Sequence, residues 1–143
     1  MVKVAHYITP RKRARINQLA HREDDTRLTT SASYDALTQS DLDDITDIQA
    51  YNRYLAWYSG DVEDIGPWFD EYHAKNPLRP VGLSEYGAGG SIVQQQPNPP
   101  QPDPFGQWHP EQYQSHFHES YWRQLKDKPY IWCKFIWNMF DFA

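Results

Sequence analysis

The stretch Arg79-Pro80-Val81-Gly82-Leu83-Ser84-Glu85-Tyr86-Gly87-Ala88-Gly89 decides how the chain is read. Proline has no amide to donate and is tolerated at the first position of a strand, where Pro80 stands. Val81 and Leu83 supply a short apolar run. The run ends in a carboxylate, Glu85, followed by an aromatic residue and a cluster of glycines. A strand that ends this way delivers a charge to the rim of a sheet. Parallel α/β folds keep their chemistry there, at the carboxyl ends of the strands. By itself Glu85 is either a catalytic carboxylate or a solvated strand end.

Working outward, residues 64–76 put Ile65, Trp68, Phe69 and Tyr72 on one face of a helix, with Pro67 near its first turn. Asn76-Pro77 ends it, because the residue before proline is driven out of the helical region. Upstream, residues 44–51 read as a strand through Ile45 and Ile48. It runs into the aromatic and amide cluster Asn52-Arg53-Tyr54-Leu55-Ala56-Trp57-Tyr58. Residues 27–33 read as a shorter strand and 34–43 as a polar loop. Ile16, Leu19 and Ala20 share a face of a first helix, closed by residues 21–25. The basic cluster Pro10-Arg11-Lys12-Arg13-Ala14-Arg15 opposes the helix dipole, so this helix is expected to begin nearer Ala14.

Downstream, residues 87–109 are rich in Gln, Pro and Gly. A connection this long inside a domain is either functional or disordered. Its prolines could also mimic an SH3 ligand, a reading ranked lower because the loop leaves Glu85 directly. Residues 110–126 form a helix with Pro110 at its start and a stripe of Tyr113, Phe117, Tyr121 and Leu125 every fourth residue, read as core. His116 and His118 are two apart and do not face each other on a helix, so they read as structural rather than as metal ligands. Residues 130–137 (YIWCKFIW) are nearly all apolar, as expected of a strand with both faces covered. Strands alternating with helices mean parallel βαβ units. Four such strands are only part of a barrel.

Composition narrows the classes. With 143 residues the chain suits one domain with a core, not two. The 14 Lys and Arg against 19 Asp and Glu leave a net charge of −5, which argues against nucleic acid as a partner. Six Trp and 10 Tyr are many, and such side chains serve cores, interfaces and sugar-stacking surfaces. The one cysteine, Cys133, excludes an internal disulfide and fits a reducing compartment. There is no apolar run of membrane-spanning length and no apolar signal core, so a cytoplasmic protein without membrane contact is expected.

SEYG after a short strand, NRYLAWY after the strand before it, and IWNMFDFA at the last strand resemble glycoside hydrolase family two. The helix start Trp-His-Pro-Glu-Gln-Tyr and the strand in DDTRLTTSAS fit as well. The family includes β-galactosidases and β-glucuronidases, and the overall wording is closer to the β-galactosidase side. The resemblance runs from about Ile16 to Ala143 of a single domain spanning 1–143, with 1–15 divergent. It implies an α/β fold, the C-terminal half (strands five to eight) of a (β/α)8 TIM barrel. It implies O-glycosyl hydrolysis of a carbohydrate, β-galactosidase-like, with Glu85 as the catalytic nucleophile. Asn52 and Tyr54 match active-site positions after strand six, and Tyr54 would donate a hydrogen bond near the nucleophile. Trp137 matches the tryptophan that lines the sugar pocket, and Asn138 and Asp141 follow it in the same motif. No cofactor is implied. No metal is expected, because the main ligands of the metal sites known in some relatives would lie in the absent half.

The family's acid/base glutamate belongs to an Asn-Glu motif at the end of strand four, and no Asn-Glu dipeptide occurs in this sequence. Strands one to four are absent too. The family's usual glycine at position 133 is Cys, and Lys134 interrupts an otherwise apolar strand. A retaining glycosidase needs two carboxyl groups about 5–5.5 Å apart. Losing the acid/base costs a factor of roughly 10²–10⁴. Candidates for the second carboxyl are Asp141, Glu63, Asp64 or the Glu85 of a second copy. A half barrel has two unpaired edges, and a two-fold pair of copies would close eight strands. A homodimer or higher homo-oligomer is therefore expected, with the two Glu85 side chains approaching the inverting separation of about 6.5–9.5 Å. Two other readings stay open. One is a non-catalytic half barrel that binds carbohydrate through Trp137. The other is a repurposed pocket cleaving esters through Ser84 or Cys133, although there is no Gly-x-Ser-x-Gly elbow and a buried Cys133 would be inert.

Overall fold

The structure, a computed structural model, describes residues 9–34 and 45–140. The elements run α1 (Pro10–Glu23), β1 (Thr30–Ser33), β2 (Ile48–Asn52), α2 (Ile65–Lys75), β3 (Val81–Tyr86), α3 (Glu111–Leu125) and β4 (Ile131–Ile136). The four strands form one sheet in the order β1-β2-β3-β4, and every pair is parallel. The helices α2 and α3 cross between successive strands of the sheet, as the alternating pattern predicts.

The core lies between the sheet and these two helices. Ile65, Phe69 and Tyr72 of α2 and Tyr113, Phe117, Tyr121 and Leu125 of α3 pack with Tyr51, Val81, Leu83 and Tyr86 of the central strands. The helical stripes read from the sequence are the buried faces. Trp68 stays partly exposed. It stacks on Tyr72 and carries the Arg53 guanidinium 4.3 Å above its ring, where the cation meets the negative face of the indole.

Several boundaries differ from the sequence expectations. Helix α1 begins at Pro10, not near Ala14. Thr9 caps it, its hydroxyl accepting from the Lys12 amide, and Pro10 occupies the first turn, where its missing amide costs nothing. Arg11, Lys12 and Arg15 are exposed, where water screens their charges from the dipole. Strand β1 is shorter than 27–33, and β2 starts later and ends one residue further, at Asn52. Strand β3 continues one residue past Glu85. Most of the polar loop at 34–43 lies outside the described residues.

The strand β4 corrects a larger expectation. Both of its faces were to be covered, yet Phe135 is 57% exposed, and Ile136 and Trp132 are also open. Ile131 packs in the core with the helices, and Trp132, which alternates with it, points to the other face of the sheet and stays open. Trp132 lies across the sheet over Gly82, and its indole N–H donates to the Gln49 carbonyl at 3.0 Å. A Cβ at position 82 would meet that ring within 2.7 Å, which is why glycine stands there.

The opposite edge is equally bare. No residue of α1 is buried. The helix is fastened by polar contacts: Thr29 bonds Asn17 and Asp47, and His21 meets Asp47 at 3.1 Å. Ile16 and Leu19, which share a face of this helix, are 59% and 45% exposed. A cavity of about 490 Å³ between α1 and β1 is lined by Ile16, Ala20, Thr30 and Ala32 among others. No helix among the described residues is long and apolar enough to cross a membrane.

Candidate active site

Asn52 stands opposite Glu85 in the β2–β3 ladder, at a register shift between Tyr51 and Asn52. The shift ends the regular pairing and turns the chain, and the Arg53 amide donates to the Glu85 carbonyl at 2.8 Å. Beyond this point the backbone is free to carry Tyr54 back over the strand end. The Tyr54 hydroxyl donates to Glu85 Oε2 at 2.9 Å. Ser84 donates to Asn52 Oδ1 at 2.7 Å. Burial, then the hydrogen bond to Glu85 and its negative charge, push the Tyr54 pKa well above that of an ordinary phenol. The phenol therefore keeps its proton and remains a donor.

The segment that carries Tyr54 is pinned from beneath. Ala56 has a left-handed φ of 64°, which an alanine adopts only when its surroundings impose it. Its amide bonds the Ser59 carbonyl at 2.7 Å. The Tyr121 hydroxyl donates to the Leu55 carbonyl at 2.7 Å, and the Tyr113 hydroxyl donates to the Ala56 carbonyl. Burial and, less, the charge of Asp61 push Tyr113 up to about 12, so it too stays protonated. The sequence reading assigned both tyrosines to the core and missed this duty. A signal was present: the same stripe has Phe at 117, and only the two positions beneath the Tyr54 segment carry a hydroxyl.

Trp137 follows β4 directly, and its amide donates to the Tyr86 carbonyl at 2.8 Å. The Trp137 carbonyl comes so near the neighbouring backbone that a Cβ on Gly87 would lie 2.3 Å from it. Trp137 is thereby brought beside the end of β3, and Asn138 is exposed just beyond it. Asp141 lies outside the described residues.

The 87–109 connection is held by amide side chains in place of regular pairing. Gln94 alone accepts from the His109 amide at 2.6 Å, donates to the Gln107 carbonyl at 2.8 Å and receives the Glu111 amide on its own carbonyl at 3.0 Å. Gln112 accepts from the Gln96 amide, and Gln114 donates to the Ala88 carbonyl. Glutamine satisfies backbone groups that a loop leaves unpaired, so the Gln-rich composition serves order here.

Other candidates are drawn elsewhere. Glu63 receives Arg123 at 2.6 Å and Ser120 at 3.1 Å, and Asp64 accepts from the Asp61 amide at 2.8 Å. Ser84 is bonded to an amide oxygen, which is not a base that could activate it. Cys133 is buried, and burial pushes its thiol up to about 11, far from a reactive thiolate. His118 packs edge-on against Tyr86 at 5.6 Å, and burial lowers its pKa. Among the described residues no group of three metal-ligating side chains is gathered.

No family model matches the chain. A curated β-glucuronidase of Bacteroides fragilis is 43% identical over 128 residues, which is 90% of this chain and 18% of that protein. The crystal structure of an FMN-binding β-glucuronidase from Facaelibacterium prausnitzii L2-6 superposes with a TM-score of 0.83 at 38% identity, covering 94% of this chain and 20% of that one. A Bacteroides fragilis protein assigned as a β-galactosidase gives a TM-score of 0.88 at 32% identity over 99% of this chain and 21% of that one. The chain matches one part of the glycoside hydrolase family two enzymes. It spans about a fifth of the length of these relatives. Its four parallel strands correspond to part of a larger TIM-barrel enzyme of that family, and relatives of both the β-glucuronidase and the β-galactosidase name are found.

Proposed function

We propose that this chain carries the nucleophile side of a β-glycosidase site acting on β-galactosides or β-glucuronides. The observation that carries the proposal is the Tyr54 hydroxyl donating to Glu85 Oε2 at 2.9 Å, at the carboxyl end of a parallel strand. Glu85 would attack the anomeric carbon and form a glycosyl ester while the bond to the leaving oxygen breaks. A second carboxyl would protonate that oxygen and then activate the water that hydrolyses the ester. Tyr54 holds one oxygen of Glu85, and the other would attack the sugar. Asn52, Trp137 and Asn138 would contact the sugar, with the indole face against its C–H bonds. Asp141 belongs to the same proposed set.

The second carboxyl is proposed to come from another copy of the chain, at the retaining separation of about 5–5.5 Å in place of the inverting one expected from the two-fold pair of Glu85 side chains. Glu63 and Asp64 are tied to Arg123 and to the Asp61 amide. A two-fold partner pairing through the edge strands β1 and β4 would close eight strands and would cover apolar residues now open, Ile16 and Leu19 of α1 and Phe135 and Ile136 of β4. The test of the nucleophile is a 2-deoxy-2-fluoro glycoside of each sugar, which slows hydrolysis of the ester. Intact mass should rise by one glycosyl group, located on the peptide containing Glu85. A label on another residue would reject the assignment.

A second reading is favoured by the engagement of Glu63 and Asp64. The chain would bind sugar through Trp137 without turning it over. Trp137→Ala should then abolish binding of a methyl glycoside, with no hydrolysis by either protein.

A further inference from the structure

Strand β3 carries an extra residue between Leu83 and Tyr86. On one side the ladder pairs Tyr51 with Leu83 and Asn52 with Glu85, so Ser84 has no counterpart in β2. On the other side Leu83 pairs with Lys134 and Tyr86 with Ile136, and β3 is again the longer of the two between the paired positions. Strict alternation would put Leu83 and Tyr86 on opposite faces of the sheet. Both instead pack in the core with the helices. The irregularity is a β-bulge, a device that re-aims the side chains beside it. It turns two successive residues, Ser84 and Glu85, away from the core together and sets both beside Asn52 at the end of β2.

The result is a held amide. The Ser84 hydroxyl donates to Asn52 Oδ1 at 2.7 Å. An asparagine left to itself turns about its last bond and presents either end. With its oxygen taken by Ser84, Asn52 presents the nitrogen branch, which only donates. Asn52 stands in register with Glu85, and Tyr54, two residues further on, holds Glu85 Oε2.

We propose that Ser84 is a positioning residue that locks Asn52 as a hydrogen-bond donor to a ring hydroxyl of the sugar. The proposal rests on the glycosidase reading for the place of the sugar at Glu85. A donor here takes a lone pair of the sugar oxygen and leaves that hydroxyl's own proton for another group. Ser84 acts through Asn52 without touching the substrate. This gives a role to a serine that stands beside Glu85 and has no base to activate it. Alanine at this position would free the amide to turn, and threonine would keep the hydroxyl.

The test uses the full chain with Ser84→Ala and Ser84→Thr. Ser84 is only partly buried, so alanine leaves the core intact. NMR relaxation of the Asn52 side-chain amide in the free proteins measures the lock directly. The amide should be ordered in the wild type and in Ser84→Thr and mobile in Ser84→Ala. Unchanged order in Ser84→Ala would overturn the lock with no sugar present. Binding of methyl thio-β-galactoside and methyl thio-β-glucuronide, which resist hydrolysis, is then measured by titration calorimetry. Each ring hydroxyl is replaced in turn by hydrogen or by fluorine, which accepts a hydrogen bond and cannot donate one. At the hydroxyl that Asn52 meets, hydrogen should weaken binding about three- to tenfold and fluorine less than about twofold. Ser84→Ala should erase that gap, and Ser84→Thr should keep it. Equal losses from hydrogen and fluorine at every position, or a gap that survives Ser84→Ala, would overturn the donor role and leave Glu85 as nucleophile. No sugar binding by the wild-type chain would overturn the donor role together with the glycosidase reading, and the relaxation comparison would still decide the lock.

Discussion

The centre of the sheet and its edges are built on opposite terms. In the centre, Tyr51, Val81 and Leu83 are sealed beneath α2 and α3, and the same two strands hold Asn52 and Glu85 at their ends. At the edges, α1 is fastened through Asn17, His21, Thr29 and Asp47 while Ile16 and Leu19 face outward, and β4 opens Phe135 and Ile136 to solvent. The centre satisfies itself. The edges hold the apolar area that a complete barrel would bury. The difference teaches that the candidate site residues are ordered by local packing at the centre while the edges leave apolar side chains uncovered.

The sharpest way to break this comparison is in the core. Phe117→Ala removes a fully buried ring and should cost about 3–5 kcal/mol in urea unfolding. Ile16→Ser at the edge should change the stability of a single copy by no more than about 0.5 kcal/mol. It should instead lower the mass measured by light scattering at dilute protein, because it damages the face proposed to meet a second copy. Equal losses of stability from both substitutions would collapse the distinction between centre and edge.

Tyr113→Phe and Tyr121→Phe keep the rings and remove only the hydroxyls beneath the Tyr54 segment. Each should cost about 1–3 kcal/mol, since a buried carbonyl loses its donor. Each should also slow glycoside hydrolysis, which a purely apolar role for these side chains would leave unchanged.

A smaller effect is expected from pH. Burial raises Tyr113 from 10.0 to about 12 and Cys133 from 9.0 to about 11. A group whose folded pKa lies above its unfolded value stabilises the fold while it keeps its proton. That contribution is complete below the unfolded value and is lost as pH rises towards the folded one. The melting temperature should therefore be level from slightly alkaline pH to about pH 9 and fall between about pH 9 and 12, with Cys133 unreactive towards thiol reagents until the fold opens. A decline beginning at neutral pH, or a thiol that reacts in the folded chain, would contradict the burial of these groups.

Much of the centre was legible in the sequence because burial imposes periodicity. The apolar positions of α2 and the stripe of α3 repeat at helical spacing, and the core seals those side chains. Glu85 could be picked out because a carboxylate and a glycine cluster end an apolar run. What escaped was set by tertiary contacts. A continuous apolar strand looks the same whether both faces are covered or one is waiting for a partner, so the exposure of β4 was invisible. The helix start at Pro10 depended on a single cap at Thr9, which outweighed the run of cations. The order of the 87–109 loop came from glutamine side chains bonding distant backbone groups, and no local pattern announces that. The hydroxyls of Tyr113 and Tyr121 were visible as letters, but their targets at Ala56 and Leu55 are 57 and 66 residues away.

The most direct test of the central claim is hydrolysis of nitrophenyl β-galactoside and nitrophenyl β-glucuronide by the wild-type chain and by Glu85→Gln, with the mass of the active species determined in the same run. The account predicts turnover by a dimer or larger species and a loss of about 10³-fold or more in the variant. Hydrolysis by Glu85→Gln at the wild-type rate, or turnover carried by a single copy of the chain, would contradict it.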